Sequence, residues 1–187
     1  MPWDVIALFV NSKMDSFCPI LIRRTTMNIF LLSTDPREAA EAHCDKHVVK
    51  MILETAQLLY CAHWVLNPDT LPTTAYRKTH PNHPCAIWVR ESAANYRWLV
   101  SLGLCLCSEY TFRYGKTHKT ETHIKWLAEN YPPLPSSEPT PFRMAMPEEF
   151  KDADPIVAYK QYYLGAKQRM LVYSKRPPPA FVEKKRV

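Results

Sequence analysis

Glycine is scarce in this chain, at 3 of 187 residues. That argues against a Gly-rich loop cradling phosphates. No stretch approaches the ~18 consecutive apolar residues that crossing a membrane requires, so no membrane partner is expected. There is no CxxC pair and no internal repeat. The opening, Met1 to Val10, carries Asp4 and no basic residue, which does not fit a secretory leader. The six cysteines, Cys18, Cys44, Cys61, Cys85, Cys105 and Cys107, are even in number. Four of them fall inside helical patterns, so buried free thiols in a reducing, intracellular setting are expected rather than disulfides.

What the chain does hold is proline, 17 residues, and 47% apolar side chains. Many prolines with few glycines suit helices joined by stiff loops, and 187 residues suit one domain. Residues 1–26 share no periodicity with the rest of the chain and read as an N-terminal extension, with 27–187 as a single helical domain and Met27 as an alternative start. The run Met27-Asn28-Ile29-Phe30-Leu31-Leu32 reads as a short buried strand. Asp35, Pro36 and Glu38 form a helix start, and that helix is expected to run to about Val65, before Asn67-Pro68. A second long helix is expected from Cys85 to Tyr114, capped by Gly115, with Glu109 and Arg113 paired at i,i+4. Thr120–Asn130 reads as a shorter helix, Tyr131–Pro147 as a Pro-rich connection, and Pro155–Tyr173 as the last helix. The fold class is mainly α: a short N-terminal strand, two long helices, and a C-terminal helix with a basic tail.

On the first helix, His43, His47, Lys50, Glu54 and Gln57 fall within roughly 80° at 100° per residue. Almost everything else from Val48 to Leu59 is apolar. Such a helix is buried on most sides, and its polar stripe faces either solvent or a polar cleft. A mixture of imidazole, amine, carboxylate and amide, with Asp45 and Lys46 adding charge, favours the cleft and amine or acid–base chemistry. His43 and His47 could share a metal with His80, His83 or Cys85. The spacing matches no known finger and Lys50 would repel a cation, so no metal and no other cofactor is expected.

The segment Tyr76–Cys85, with Arg77, Lys78, His80 and His83, is a donor-rich loop leading into a helix N-terminus. Loops of this kind often carry function, and such termini favour anions. The formal charge of +6 is uneven: Ile156–Val187 holds eight Lys or Arg against one acid, Glu183. Lys175-Arg176 and the interleaved tyrosines read either as a phosphate-binding face or as a solvated tail.

From Met27 onward the chain resembles a family of small proteins from phages and large DNA viruses. The resemblance rests on Met27–Phe30, Asp45–Met51, Glu54–Gln57, Thr79–Cys85, Glu109–Lys116 and Thr140–Phe142. More distantly, the order of elements is similar to that of pyrimidine-dimer DNA glycosylases of the endonuclease V type. Shared features are a start strand, a long helix, a His-containing loop, a second helix ending Arg113-Tyr114-Gly115, the turn Pro147–Phe150 and the Lys175-Arg176-Pro177 tail. That resemblance implies a compact helical protein that works on duplex DNA without metal. It implies an amine attacking the sugar C1′ to form a Schiff base, assisted by a helix glutamate. Lys46 and Lys50 resemble that family's paired arginines, but His47 stands where its glutamate is expected, which moves the carboxylate role to Glu54.

The resulting expectation is a DNA N-glycosylase/lyase in a viral or phage context, acting in the host cytoplasm or nucleus. Its amine would be Lys50, Lys46 or the Met27 α-amine. Glu54 would serve as acid or base, with His43, His47 and Gln57 beside it. Phosphate contacts would come from Arg77, Lys78, His80, His83, Arg113, Lys116, Lys175 and Arg176. Alternatives are a non-catalytic DNA-binding or host-interaction protein, and an enzyme acting on a small nucleotide in the same cleft.

Overall fold

A computed structural model describes residues 27–183; the proposed extension over 1–26, with Cys18, lies outside the described residues. Within them the chain forms seven α-helices, α1 (Pro36–Ala42), α2 (Asp45–Leu66), α3 (Pro84–Glu91), α4 (Ala93–Tyr114), α5 (Glu121–Glu129), α6 (Pro155–Ala166) and α7 (Ala180–Glu183). The helix starts follow local chemistry. Asp35 accepts from the Arg37 and Glu38 nitrogens at 2.8 and 2.9 Å, ahead of Pro36 at the first position. Glu38 reaches back through the Ser33 hydroxyl, which takes the Asp35 N–H. Asp154 caps α6 in the same way, and α4 ends where Gly115 takes φ 65°, a left-handed conformation that glycine adopts without Cβ strain.

The expected strand over Met27–Leu32 does not form: no strand occurs among the described residues. A strand needs a partner ladder. Here the extended segment is buried, and its nitrogens bond elsewhere: Asn28 to Glu54, Ile29 to the Asn28 side chain, Leu32 to the Phe30 carbonyl.

The two expected long helices are each broken once. The first breaks at His43 and Cys44, both extended. The carbonyls freed at the end of α1 are claimed from a distance. Arg113 donates to the Glu41 and His43 carbonyls at 3.0 and 2.9 Å, and the Tyr173 hydroxyl donates to that of Ala42 at 3.1 Å. The second breaks at extended Ser92, whose hydroxyl accepts from Asn95 and caps α4. Asn95 then donates to the Trp88 carbonyl left open at the end of α3. The last helix stops at Ala166 rather than Tyr173. The chain turns over Gln168–Met170 and returns to the α1–α2 junction, where the Val172 carbonyl accepts from the Asp45 nitrogen.

Helix α2 is the centre of the fold and packs against α3, α4 and α5, while α1 lies on α4. Gly103 of α4 lets α2 and α5 pack closely against it. A Cβ there would stand 3.0 Å from Thr55 Cγ2 and 3.1 Å from Ile124 Cδ1. No helix of the described residues is long and apolar enough to cross a membrane.

Candidate active site

The break at His43 takes that residue out of the helical stripe, and what remains on α2 separates into two kinds of position. Lys46, Val49, Lys50 and Leu53 are exposed and Gln57 is half-buried, so these mark the outer face. His47 and Glu54 lie at its edge and are buried, at 3% and 5% exposure. One helical turn joins the two classes: Lys50 Nζ is 2.7 Å from Glu54 Oε1. The other carboxylate oxygen, Oε2, accepts the backbone N–H of Asn28 at 3.1 Å. Glu54 is thus a buried carboxylate held between an amine that reaches solvent and the nitrogen of residue 28.

The Asn28 side chain is held in turn. Its Oδ1 accepts from the Ile29 nitrogen at 2.8 Å, from the Tyr159 hydroxyl at 2.8 Å and from the Cys85 thiol at 3.7 Å, while Nδ2 donates to the Ala145 carbonyl at 2.8 Å. Burial pushes the Cys85 thiol up to about 12, with Glu54 adding to the effect. It is a neutral thiol with no tendency to act as a nucleophile. Asn28 carries no site signal in the sequence, and Tyr159 is one of the C-terminal tyrosines expected on a phosphate-binding face or a solvated tail rather than in the interior. Asn28 sits in an apolar run, and Tyr159 is one aromatic among several on the last helix.

His43 and His47 form a separate interior cluster with Phe30, Cys44 and Tyr163. His43 donates from Nδ1 to the Ala39 carbonyl at 2.6 Å, and its Nε2 is buried without a partner. Burial lowers it to about 4, opposed by the Ala39 carbonyl, with Arg113 lowering it further. His47 lies 4.5 Å from the Phe30 ring and meets the Tyr163 hydroxyl at 2.6 Å. Burial, then the charges of His43, Lys167 and Lys50, hold it at about 2. Both imidazoles are neutral.

The expected phosphate contacts also divide. Arg77, Lys78, His80 and Lys116 are exposed. His80 has φ 45° and its Nδ1 lies 2.5 Å from the Thr79 hydroxyl. His83 caps α3 by accepting from the Cys85 nitrogen at 3.2 Å. Lys175 donates to the Phe112 carbonyl at 3.3 Å.

Arg113 is different: its side chain is fully buried, bonded to Glu109 at 2.7 Å and Asp45 at 2.9 Å besides the two carbonyls of the α1 end. That leaves no face for a phosphate. Arg176 covers the same cluster, pairing with Glu109 at 2.6 Å and Glu41 at 3.2 Å. Burial pushes Asp45 upward, but the Ser174 N–H and hydroxyl and Arg113 outweigh it and hold the carboxyl below its usual range. Among the described residues no three His, Cys, Asp or Glu side chains gather in a way that could hold a metal ion.

The sequence model of the pyrimidine dimer DNA glycosylase family matches residues 27–122, just over half of the chain. Curated proteins and solved structures gave no match. The matched span contains Asn28, Lys50, Glu54 and Cys85, and ends inside α5, before the Ala145 and Tyr159 that complete the surroundings of Asn28. The chain therefore belongs to the pyrimidine dimer DNA glycosylase family.

Proposed function

We propose that the protein is a DNA N-glycosylase with an associated lyase step, acting on damaged duplex DNA through an amine nucleophile. The observation that carries this reading is the Lys50 amine, half-exposed and 2.7 Å from the buried Glu54 carboxylate. A peptide nitrogen is not a nucleophile, so with residue 28 inside the chain Lys50 is the amine nearest the carboxylate. In a chain begun at Met27, the α-amine would stand one residue from the nitrogen that Glu54 accepts from.

In the first step a neutral amine attacks C1′, and the N-glycosidic bond breaks with its electron pair passing to the base, which takes up a proton. Ring opening leaves an imine between C1′ and the amine, and Glu54 moves protons at the sugar. Loss of a proton from C2′ then expels the 3′ phosphate. Arg77, Lys78 and Lys116 are exposed and free to neutralise phosphates, with Lys175 and Arg176 at the edge. Arg113 is assigned to the interior instead, as are His43 and His47.

Borohydride reduction in the presence of UV-irradiated or abasic duplex tests the proposal, because it fixes the imine as a stable adduct. An adduct that maps to Lys50, and that Lys50→Ala and Glu54→Gln abolish, is the expected result. Full activity in both variants would overturn it. Salt-sensitive DNA binding with no adduct from any form of the protein would favour the non-catalytic alternative.

A further inference from the structure

Three segments distant in sequence form one closed ring of hydrogen bonds beside Glu54. The Ala145 N–H donates to the Tyr159 hydroxyl at 3.2 Å, and that hydroxyl donates to Asn28 Oδ1 at 2.8 Å. Asn28 Nδ2 donates back to the Ala145 carbonyl at 2.8 Å. The ring fixes the orientation of the amide, since the reverse assignment would set Nδ2 against the Ile29 N–H and Oδ1 against a carbonyl. It also fixes the residue 28 nitrogen, which meets Glu54 Oε2 at 3.1 Å. Tyr159 is fully buried, and burial pushes its phenol well above the usual range, so it remains a donor.

We infer that Asn28 and Tyr159 are positioning residues that hold the Glu54 carboxylate and the chain at residue 28 in working register. This rests on the reading of Glu54 as the acid or base of the reaction. The physical reason is selective restraint. Lys50 is half-exposed and attached by a flexible stem, so it does not fix the carboxylate by itself. The N–H of residue 28 is buried and rigid, because its own side chain is tied to α6 and to the 140s connection. Two of the three ring members, Ala145 and Tyr159, lie outside the residues that the family model matches. The C-terminal third therefore contributes to the site as well as to the packing.

The test compares Tyr159→Phe, Asn28→Ala and Glu54→Gln with the unaltered chain, by single-turnover cleavage of UV-irradiated duplex and by borohydride trapping. Loss of the Tyr159 bond to the Asn28 amide should lower the single-turnover rate constant up to about tenfold in Tyr159→Phe, with the half-saturating DNA concentration changed less than about twofold. Asn28→Ala should lower the rate constant at least as far, because it opens the ring at two of its three bonds. A merely structural role would lower the amount of active protein, read as the reaction amplitude, without lowering the rate constant. Wild-type rate constants in Tyr159→Phe and Asn28→Ala, beside an inactive Glu54→Gln, would overturn the positioning role and leave the proposed function standing. An active Glu54→Gln would remove the proposed function, and the positioning role with it.

Discussion

Replacing Arg113 by Met keeps most of the side-chain volume and removes four hydrogen bonds at once: to Glu109, to Asp45 and to the carbonyls of Glu41 and His43. The Arg113 and Glu109 side chains are 0% and 4% exposed, and that of Asp45 is 13% exposed. Breaking a buried pair by removing one partner costs roughly 3–5 kcal/mol, because the remaining charge stays desolvated. Two neighbours soften the loss: Arg176 still pairs with Glu109, and Ser174 still donates twice to Asp45. The expected cost therefore sits at the lower end, about 3 kcal/mol, which lowers the melting temperature by roughly 6–12 °C in a chain of this size. Arg113→Lys should fall between, since one ammonium cannot reach acceptors spread around a planar fork.

Urea unfolding followed by circular dichroism gives the stability change. DNA binding measured at several salt concentrations, well below the unfolding midpoint, gives the other half of the comparison. The salt slope should stay as in the unaltered chain, because no phosphate contact is lost. An Arg113→Met protein with an unchanged urea midpoint and a shallower salt slope would refute the interior assignment and return Arg113 to the DNA surface.

Acid should unfold the protein early. His43 and His47 are held at about 4 and about 2, against about 6.5 in an unfolded chain. The unfolded state therefore binds protons first. Stability is full above pH ~6.5 and falls as the pH drops toward 4, by up to about 1.4 kcal/mol per unit for each histidine. His43→Gln should flatten the urea midpoint between pH 6.5 and 4.5, and an unchanged slope would count against the buried neutral imidazole. Gly103→Val should destabilise by roughly 1–3 kcal/mol through overpacking against Thr55 and Ile124, read as a lower melting temperature; a neutral outcome would mean that α5 moves freely. The double replacement of Arg77 and Lys78 by Ala should reduce the log–log salt slope of duplex binding by roughly 2, at about 0.9 per phosphate contact. An unchanged slope would remove that loop from the DNA surface.

Helix starts were legible in the sequence because their causes are local. Asp35-Pro36 and Gly115 act through neighbours a few residues away, and the structure has them in those roles. The largely apolar Val48–Leu59 stretch likewise marked a mostly buried helix. The Lys50–Glu54 pair is also local, since a spacing of four puts both side chains on one turn. The breaks at His43–Cys44 and Ser92 were not legible in that way. A helix of favourable residues ends mid-run only when other groups claim its carbonyls. Those groups, Arg113, Tyr173 and Asn95, become available only once α4 and the C-terminal segment have packed. One local signal was present at the second break, the Ser92-Ala93-Ala94-Asn95 start, but helical periodicity on both sides concealed it.

By itself, then, the sequence determined a helical chain, several helix starts with the stop at Gly115, and a lysine one turn from a glutamate. Tertiary structure decided what those residues face. It turned Arg113 inward, because two buried acids and two open carbonyls converge there. It sealed His43 and His47 beneath Phe30 and Tyr163. It brought residue 28 to Glu54 across 26 positions of chain and Tyr159 to Asn28 across 131. Periodicity carries information over a turn or two, whereas a hydrogen bond between distant segments depends on where the chain returns.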